Sequence, residues 1–382
     1  MVTSTDSELG RALLTERSLQ WLYGHRGDPY ARLLRDEEDD RSELIEQLRR
    51  RGPIYRSRTG AWVVGSHRLA AEVLTDSRLT ARTPADFPEG HMLRQRAAVG
   101  GPSTEALGDV RGRVELDPPP SDIVERLGLA AVDQLGATFD LAADLLRPTM
   151  VALVAEMFAI PAERRESLGR WCGTAAIALD ATLCPPRLAP ALAMITAVRD
   201  LRSTLAQHAD GDDDRIAAGM VAFVFGVEVA TNLLVNAALP LLDHPDRWRR
   251  LGADPQQAED AIAEAMVLDP PVRLHGLVVR EAVELAGVQI GADSDVVVSV
   301  EAGQRDAAGQ PDPMASSRAT ELCLAGPYLG PVASLVRTSA VALLRTLATA
   351  LPELHRTGPV VRRLRAPVTH AVVRFPVAAR RS

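Results

Sequence analysis

Lysine is absent from this chain of 382 residues, so all 43 basic residues are arginine. That excludes Schiff-base chemistry through a lysine and the lysine of a phosphate-binding loop. Aromatic residues make up only 4% of the chain, and there are three cysteines, Cys172, Cys184 and Cys323. An odd number without a Cys-x-x-Cys pair suggests neither a disulfide framework nor a zinc site. The eight histidines are scattered without metal-ligand spacing, and His-Glu-x-x-His is missing. So are Gly-x-Ser-x-Gly, a phosphate loop and a dinucleotide fingerprint. Positive charge is not in surplus either: the net charge is −7. No broad attraction to nucleic acid or to an anionic membrane is expected. The N-terminal "MVTSTDSELGRALL" has no basic region followed by an apolar core. A cytoplasmic protein without a secretory signal is the expectation.

What is present is ordinary for a globular protein, 46% hydrophobic and 24% charged. Residues 34–51 have the spacing of one amphipathic helix. "PIYRSRTGAWVVG" (53–65) holds two extended runs around Thr-Gly, a hairpin signal. Residues 83–122 are rich in Pro and Gly and read as a long irregular connection. Helical periodicity dominates 123–208, and "DGDDD" (210–214) puts carboxylates at a helix start, where the dipole favours them. The helix behind it is apolar nearly all round, so it is buried in protein or spans a membrane. Glu228, Asn232, Asn236 and Pro240 within it favour burial in protein, because an unpaired charge in hydrocarbon is expensive. A helix at 255–268, short strands to about 300, a helix at 331–350 and extended pieces near the C-terminus complete the chain. The fold class expected is mainly α with small β-sheets.

The order of these pieces resembles the cytochrome P-450 family, the haem-thiolate monooxygenases. "FGVEVATNLLVNAALPLLDHPDRW" (225–248) resembles the family's long central helix, and "AIAEAMVLDPPVRLHG" (261–276) its Glu-x-x-Arg helix running into Pro-Pro. "GVQIGADSDVVVSVEAGQRDAAGQPDP" (287–313) resembles the strand pair and Asn-Arg-Asp segment, and "LCLAGPYLGPVASLVRTSAVALLRTLATALPEL" (322–354) the haem loop and the helix after it. The resemblance implies a single P-450-like domain over 1–382, with an N-terminal extension at about 1–33.

The working residues of that family are the part that differs. Counted without gaps, the position of its iron-binding cysteine is Gly330. The propionate-binding residue nearby is Tyr328, and a second propionate arginine is Leu277. In the Glu-x-x-Arg pair Glu264 stands but the arginine is Val267, leaving Arg318 as its expected partner. In the central helix the acid is kept as Glu228, but the proton-delivering threonine is Val229.

This pattern is similar to a narrower group, the cysteine-less homologues that act as auxiliary proteins for antibiotic deoxysugar glycosyltransferases. "RSLQWLYGHRGDPYARLLR" (17–35), "AGPYLGPVASLVR" (325–337) and "GPVVRRLRAPV" (358–368) carry that likeness. It implies no haem, no other cofactor, no catalytic residue, and a glycosyltransferase partner that moves a nucleotide-linked aminosugar to a macrolide or related aglycone. Two other readings stay open: a haemless small-molecule binder or lyase using Glu228, and an oxygenase with an unusual ligand set. The aromatic residues Trp21, Tyr23 and Tyr30 are candidates for the partner contact, or for packing beneath the domain. Cys323 reads as a buried structural thiol. A haem-sized void of roughly 500 Å³ would cost on the order of 10 kcal/mol at ~24 cal/mol per Å³. The cavity is therefore expected to be collapsed or filled, with Val229, Val267, Leu277 and Leu329 as apolar replacements.

Overall fold

Residues 6–37, 40–81, 116–308 and 322–379 are described by the computed structural model. Helices dominate, and the strands are β1 (Ile54–Arg56), β2 (Trp62–Val64), β3 (Leu79–Thr80), β4 (Thr138–Asp140), β5 (Leu274–Val279), β6 (Val283–Leu285), β7 (Val288–Ile290), β8 (Asp295–Ser299), β9 (His355–Arg356), β10 (Val361–Arg362), β11 (Val372–Arg374) and β12 (Pro376–Ala378). Among the described residues the largest sheet has the order β1-β2-β8-β5-β3. β1 and β2 form the hairpin expected at 53–65, in the register Ile54 to Val64. Gly60 closes it at φ +98°, a conformation that a side chain disfavours.

The centre of the molecule is the helix Asp213–Leu242. Asp212 caps it by accepting from the Arg215 amide at 3.0 Å. Its apolar length would suffice to cross a bilayer, but the apolar stretch is buried inside the protein. Helices Arg147–Met157, Pro255–Leu268 and Ala333–Ala350 pack against it, and Ser121–Asp133 packs in turn on Arg147–Met157 and Ala333–Ala350. Among the described residues one large hydrophobic cluster takes in side chains from Leu9 to Ala379. The N-terminal stretch belongs to it: helix α1 (Asp6–His25) buries Leu9 and Leu13, and the Gln20 amide donates to the Leu183 carbonyl at 2.8 Å.

Two expectations change here. The helix read over 34–51 is broken. One helix ends at Arg35, where Asp36 adopts a left-handed φ of 49°, and the next runs from Ser42 to Arg50. The local reason is a buried ion cluster: the Asp36 carboxylate accepts from the Ala366 amide at 3.1 Å and lies 3.8 Å from Arg41, which reaches Glu301 at 3.3 Å. The irregular connection at 83–122 lies outside the described residues as far as 115, and the chain is helical again from Ser121.

Candidate functional site

The loop 322–332 lies against the central helix. Gly326 makes the turn at φ +82°, and the chain then coils through Pro327, Tyr328 and Leu329, all buried, before the helix Ala333–Ala350 begins. The Tyr328 ring stands edge-on to Phe225, with centroids 5.7 Å apart. One residue further along the central helix is Gly226. A Cβ built there would lie 3.4 Å from Leu335 and 3.7 Å from Val332. The helix and the loop are thus in van der Waals contact, with aromatic and aliphatic side chains between them. Gly330 is different: it is exposed, and a Cβ built there meets nothing within 4 Å.

Beneath the loop lies His275, which the sequence reading passed over. It is fully buried on β5 and its Nε2 sits 2.8 Å from the Leu322 carbonyl. Burial pushes its pKa down to about 4, against the opposing hydrogen bond to Leu322, so the ring is neutral and Nε2–H donates. Only the polar residue inside an otherwise apolar strand, "RLHGLVV", hints at it.

Glu228 is 2% exposed on the central helix, and its carboxylate holds two arginines. Arg147 pairs with one oxygen, and Arg363 donates to the other at 3.0 Å. Burial alone would raise the Glu228 pKa, but the two guanidinium groups outweigh it and hold it below the usual carboxylate range. Arg363 also donates to the Ala176 carbonyl at 2.9 Å and lies 3.7 Å from Asp180. Asp180 accepts from the Val368 and Thr369 amides and, at 2.7 Å, from the Thr369 hydroxyl. Burial raises its pKa to about 6, with Arg363 and Thr369 opposing. This tetrad is balanced, two cations and two carboxylates, and every carboxylate oxygen is engaged. It clamps the hairpin of β10 and β11 onto the central helix, which the Asn232 side chain also holds by accepting from the Val372 amide.

The other residues singled out by sequence are dispersed. Val229 and Leu277 are buried, Leu277 opposite Val296 in the sheet. Val267 does not join the space beside the loop: it is half-buried and packs against Ala307 in a separate small cluster. Glu264 is exposed and pairs with Arg247 at 3.0 Å, across a turn of chain that brings two helices together. Arg318, its expected partner, lies outside the described residues. Cys323 is fully buried, and burial pushes its thiol up to about 12, so it is a packed hydrophobe. Trp21 is 49% exposed, stacked on His25 and lying under Arg35; Tyr23 is half-buried. Tyr30 is 3% exposed, so as a partner contact it is corrected: its helix carries it into the core.

No family model matches the chain. Curated relatives do. Protein AknT of Streptomyces galilaeus is 35% identical over 98% of this chain and 96% of its own length. The cytochrome P450 family protein EryCII of Saccharopolyspora erythraea is 31% identical over 99% of both. The chain belongs to the cytochrome P-450 family. Within it, the chain groups with the P-450-like auxiliary proteins that its sequence resembles. Among solved P-450 structures, P450BioI in complex with an acyl carrier protein carrying hexadec-9Z-enoic acid superposes with a TM-score of 0.68. It covers 88% of this chain and 97% of its own at 21% identity, a likeness of fold alone.

A P-450 fold implies haem, and the residues at hand do not fit one. Gly330 supplies no ligand atom, and a Cβ built there meets nothing within 4 Å. Cys323 is a buried thiol held far from ionisation. Phe225 with Tyr328, and Gly226 with Val332 and Leu335, occupy the contact between helix and loop. Among the described residues no group of three His, Cys, Asp or Glu converges as a metal site. The P-450 acid position is likewise closed to proton delivery, since Glu228 is bound to Arg147 and Arg363.

Proposed function

We propose that this chain is a haemless, non-catalytic auxiliary protein. It binds and activates a glycosyltransferase that attaches a nucleotide-activated deoxyaminosugar to a macrolide or similar antibiotic aglycone, in the cytoplasm. The observation that carries the reading is the state of the old reaction centre. Its acid is neutralised by two arginines, and its loop packs on the central helix through Tyr328. An apolar contact there supports a fold kept for its surface rather than for its pocket. The positions Gly330, Tyr328, Leu277, Val267 and Val229 are read as vestiges of a haem site, with structural roles now. The lyase alternative loses its support in the same place, because Glu228 is buried and its two arginines hold the carboxylate below the usual range, which makes it a weak base.

A protein without chemistry raises a partner's rate by binding the competent state better than other states. Binding only the folded partner also stabilises it, by about 2.7 kcal/mol at a concentration 100 times Kd. The test is co-purification with a glycosyltransferase encoded beside this chain's gene, after growth with excess haem precursor. The expected result is a complex without a Soret band in which the transferase melts at higher temperature. A stoichiometric haem in the purified chain, or no association, overturns the proposal.

A further inference from the structure

Three elements meet at one surface. Helix α1 lies beside the segment 183–188, since Gln20 binds the Leu183 carbonyl and a Cβ on Gly10 would lie 3.3 Å from Leu188. The hairpin of β10 and β11 reaches the same region through Arg363 on Ala176 and through Asp180 on Val368 and Thr369. On α1, Leu14, Arg17 and Trp21 recur at helical spacing along one side. Leu14 is 63% exposed and Trp21 49%. From the hairpin, Leu364 stands 87% exposed, the largest exposure of any big apolar side chain among the described residues.

Arginines surround these apolar side chains. Arg17 feels Arg365 and Arg187 as like charges, and none of the three makes an ion pair among the described residues. Elsewhere on the surface Arg170, Arg247, Arg249 and Arg356 pair with carboxylates, and the net charge of the chain is −7. Trp21 is also pre-set: stacked on His25 and beneath Arg35, it is ordered before any partner arrives. A rigid aromatic anchor beside a protruding leucine is the composition of an interface centre, and unpaired arginines make its rim. Uncompensated cations repel one another until carboxylates approach from outside.

We propose that Leu14, Arg17, Trp21, Arg187, Leu364 and Arg365 form the docking surface for a glycosyltransferase face with an apolar centre and an acidic rim. The inference rests on the function proposed above and replaces Tyr30 with residues of the C-terminal hairpin.

The test measures association of the full chain with the glycosyltransferase encoded beside its gene, by titration calorimetry or surface plasmon resonance. The exposed pair Trp21→Ser with Leu364→Asp is expected to weaken binding about 30-fold or more, as a lost interface centre does. Its melting temperature should match the wild type, since neither side chain lies in the core. Removing the rim charges, Arg17→Gln with Arg365→Asn, is expected to slow association at low salt and to flatten its salt dependence. Asparagine suits the φ of +58° at position 365. Wild-type binding that both double variants keep within threefold overturns the docking surface and leaves the glycosyltransferase reading standing. Failure of the wild type to bind overturns both. Binding of the wild type to phosphatidylglycerol vesicles, lost in the variants while transferase binding is kept, would assign the patch to a membrane and also overturn the proposal.

Discussion

Replacing Glu228 with glutamine separates a structural acid from a catalytic one. In the folded protein this carboxylate is buried and neutralises Arg147 and Arg363, the latter at 3.0 Å. Glu228→Gln keeps the shape and removes the charge, so the tetrad with Asp180 goes from balanced to one excess buried cation. Breaking a buried pair by removing one partner costs about 3–5 kcal/mol. Set against a typical stability of about 5–15 kcal/mol, the loss is large and easily read in urea unfolding. A second change should restore most of it. Arg147→Met removes the excess cation and leaves Arg363 facing Asp180, 3.7 Å away. The double variant is expected to be more stable than Glu228→Gln alone, with a coupling energy of about 1–3 kcal/mol in the cycle. Both variants, at equal folded concentration, should activate the transferase as the wild type does. The reasoning fails if Glu228→Gln unfolds within about 1 kcal/mol of wild type, or if the two changes simply add. Loss of activation in a folded Glu228→Gln protein would reinstate the lyase reading.

Restoring the cysteine by Gly330→Cys should give no thiolate-ligated haem, because Phe225, Tyr328, Val332 and Leu335 fill the contact between the central helix and the loop; a carbon-monoxide difference spectrum of the thiolate type would contradict this. Gly226→Ala should be neutral or stabilising by roughly 0.5–1 kcal/mol, since the added Cβ meets Leu335 at an ordinary 3.4 Å and alanine suits a helix better than glycine. A loss of more than about 1 kcal/mol would show that the helix and loop are not packed as described. His275→Gln keeps an N–H for the Leu322 carbonyl and removes a titration. The folded pKa near 4 lies below the unfolded 6.5, so the folded state binds fewer protons in that interval and wild-type stability falls as pH drops through it. Relative to wild type, the variant should therefore gain about 3 kcal/mol on going from pH 7 to pH 4, read as a difference in melting temperature. Asp180 works the other way: its folded pKa near 6 is raised, so its charging weakens the fold as pH rises from about 4 to 6. Asp180→Asn should flatten that opposing slope, and an unchanged profile would contradict the raised pKa.

Local pattern carried much of the fold. The hairpin at 53–65, the capped start at Asp212 and the helix 255–268 follow from Thr-Gly, acidic and proline signals that act within a few residues. The apolar central helix and the order of elements were legible for the same reason. Contacts of long sequence separation were not. Glu228 meets Arg363 across 135 positions, and no periodicity announces that pair. The segment "GPVVRRLRAPV" carried a likeness without its mechanical role, which is to bring one arginine to Glu228 and another to the surface. Tyr30 and Trp21 looked alike as aromatic residues. Which one faced solvent was decided by Asp28 capping the helix Pro29–Arg35, whose burial takes Tyr30 inward. Glu264 illustrates the limit from the other side, since it pairs with Arg247 from the helix before it, a partner that no spacing announced.

The measurement that tests the account most directly is the stoichiometry of activation. The glycosyltransferase is held fixed with its nucleotide sugar and aglycone, and this chain is titrated from far below to above equimolar while the initial rate is followed. An auxiliary protein that acts by binding gives a rate that rises with the amount of complex and levels off at a fixed molar ratio. Full activation by a small substoichiometric amount, or after the chain has been incubated with substrates and removed, would mean that it turns something over, and would contradict the account.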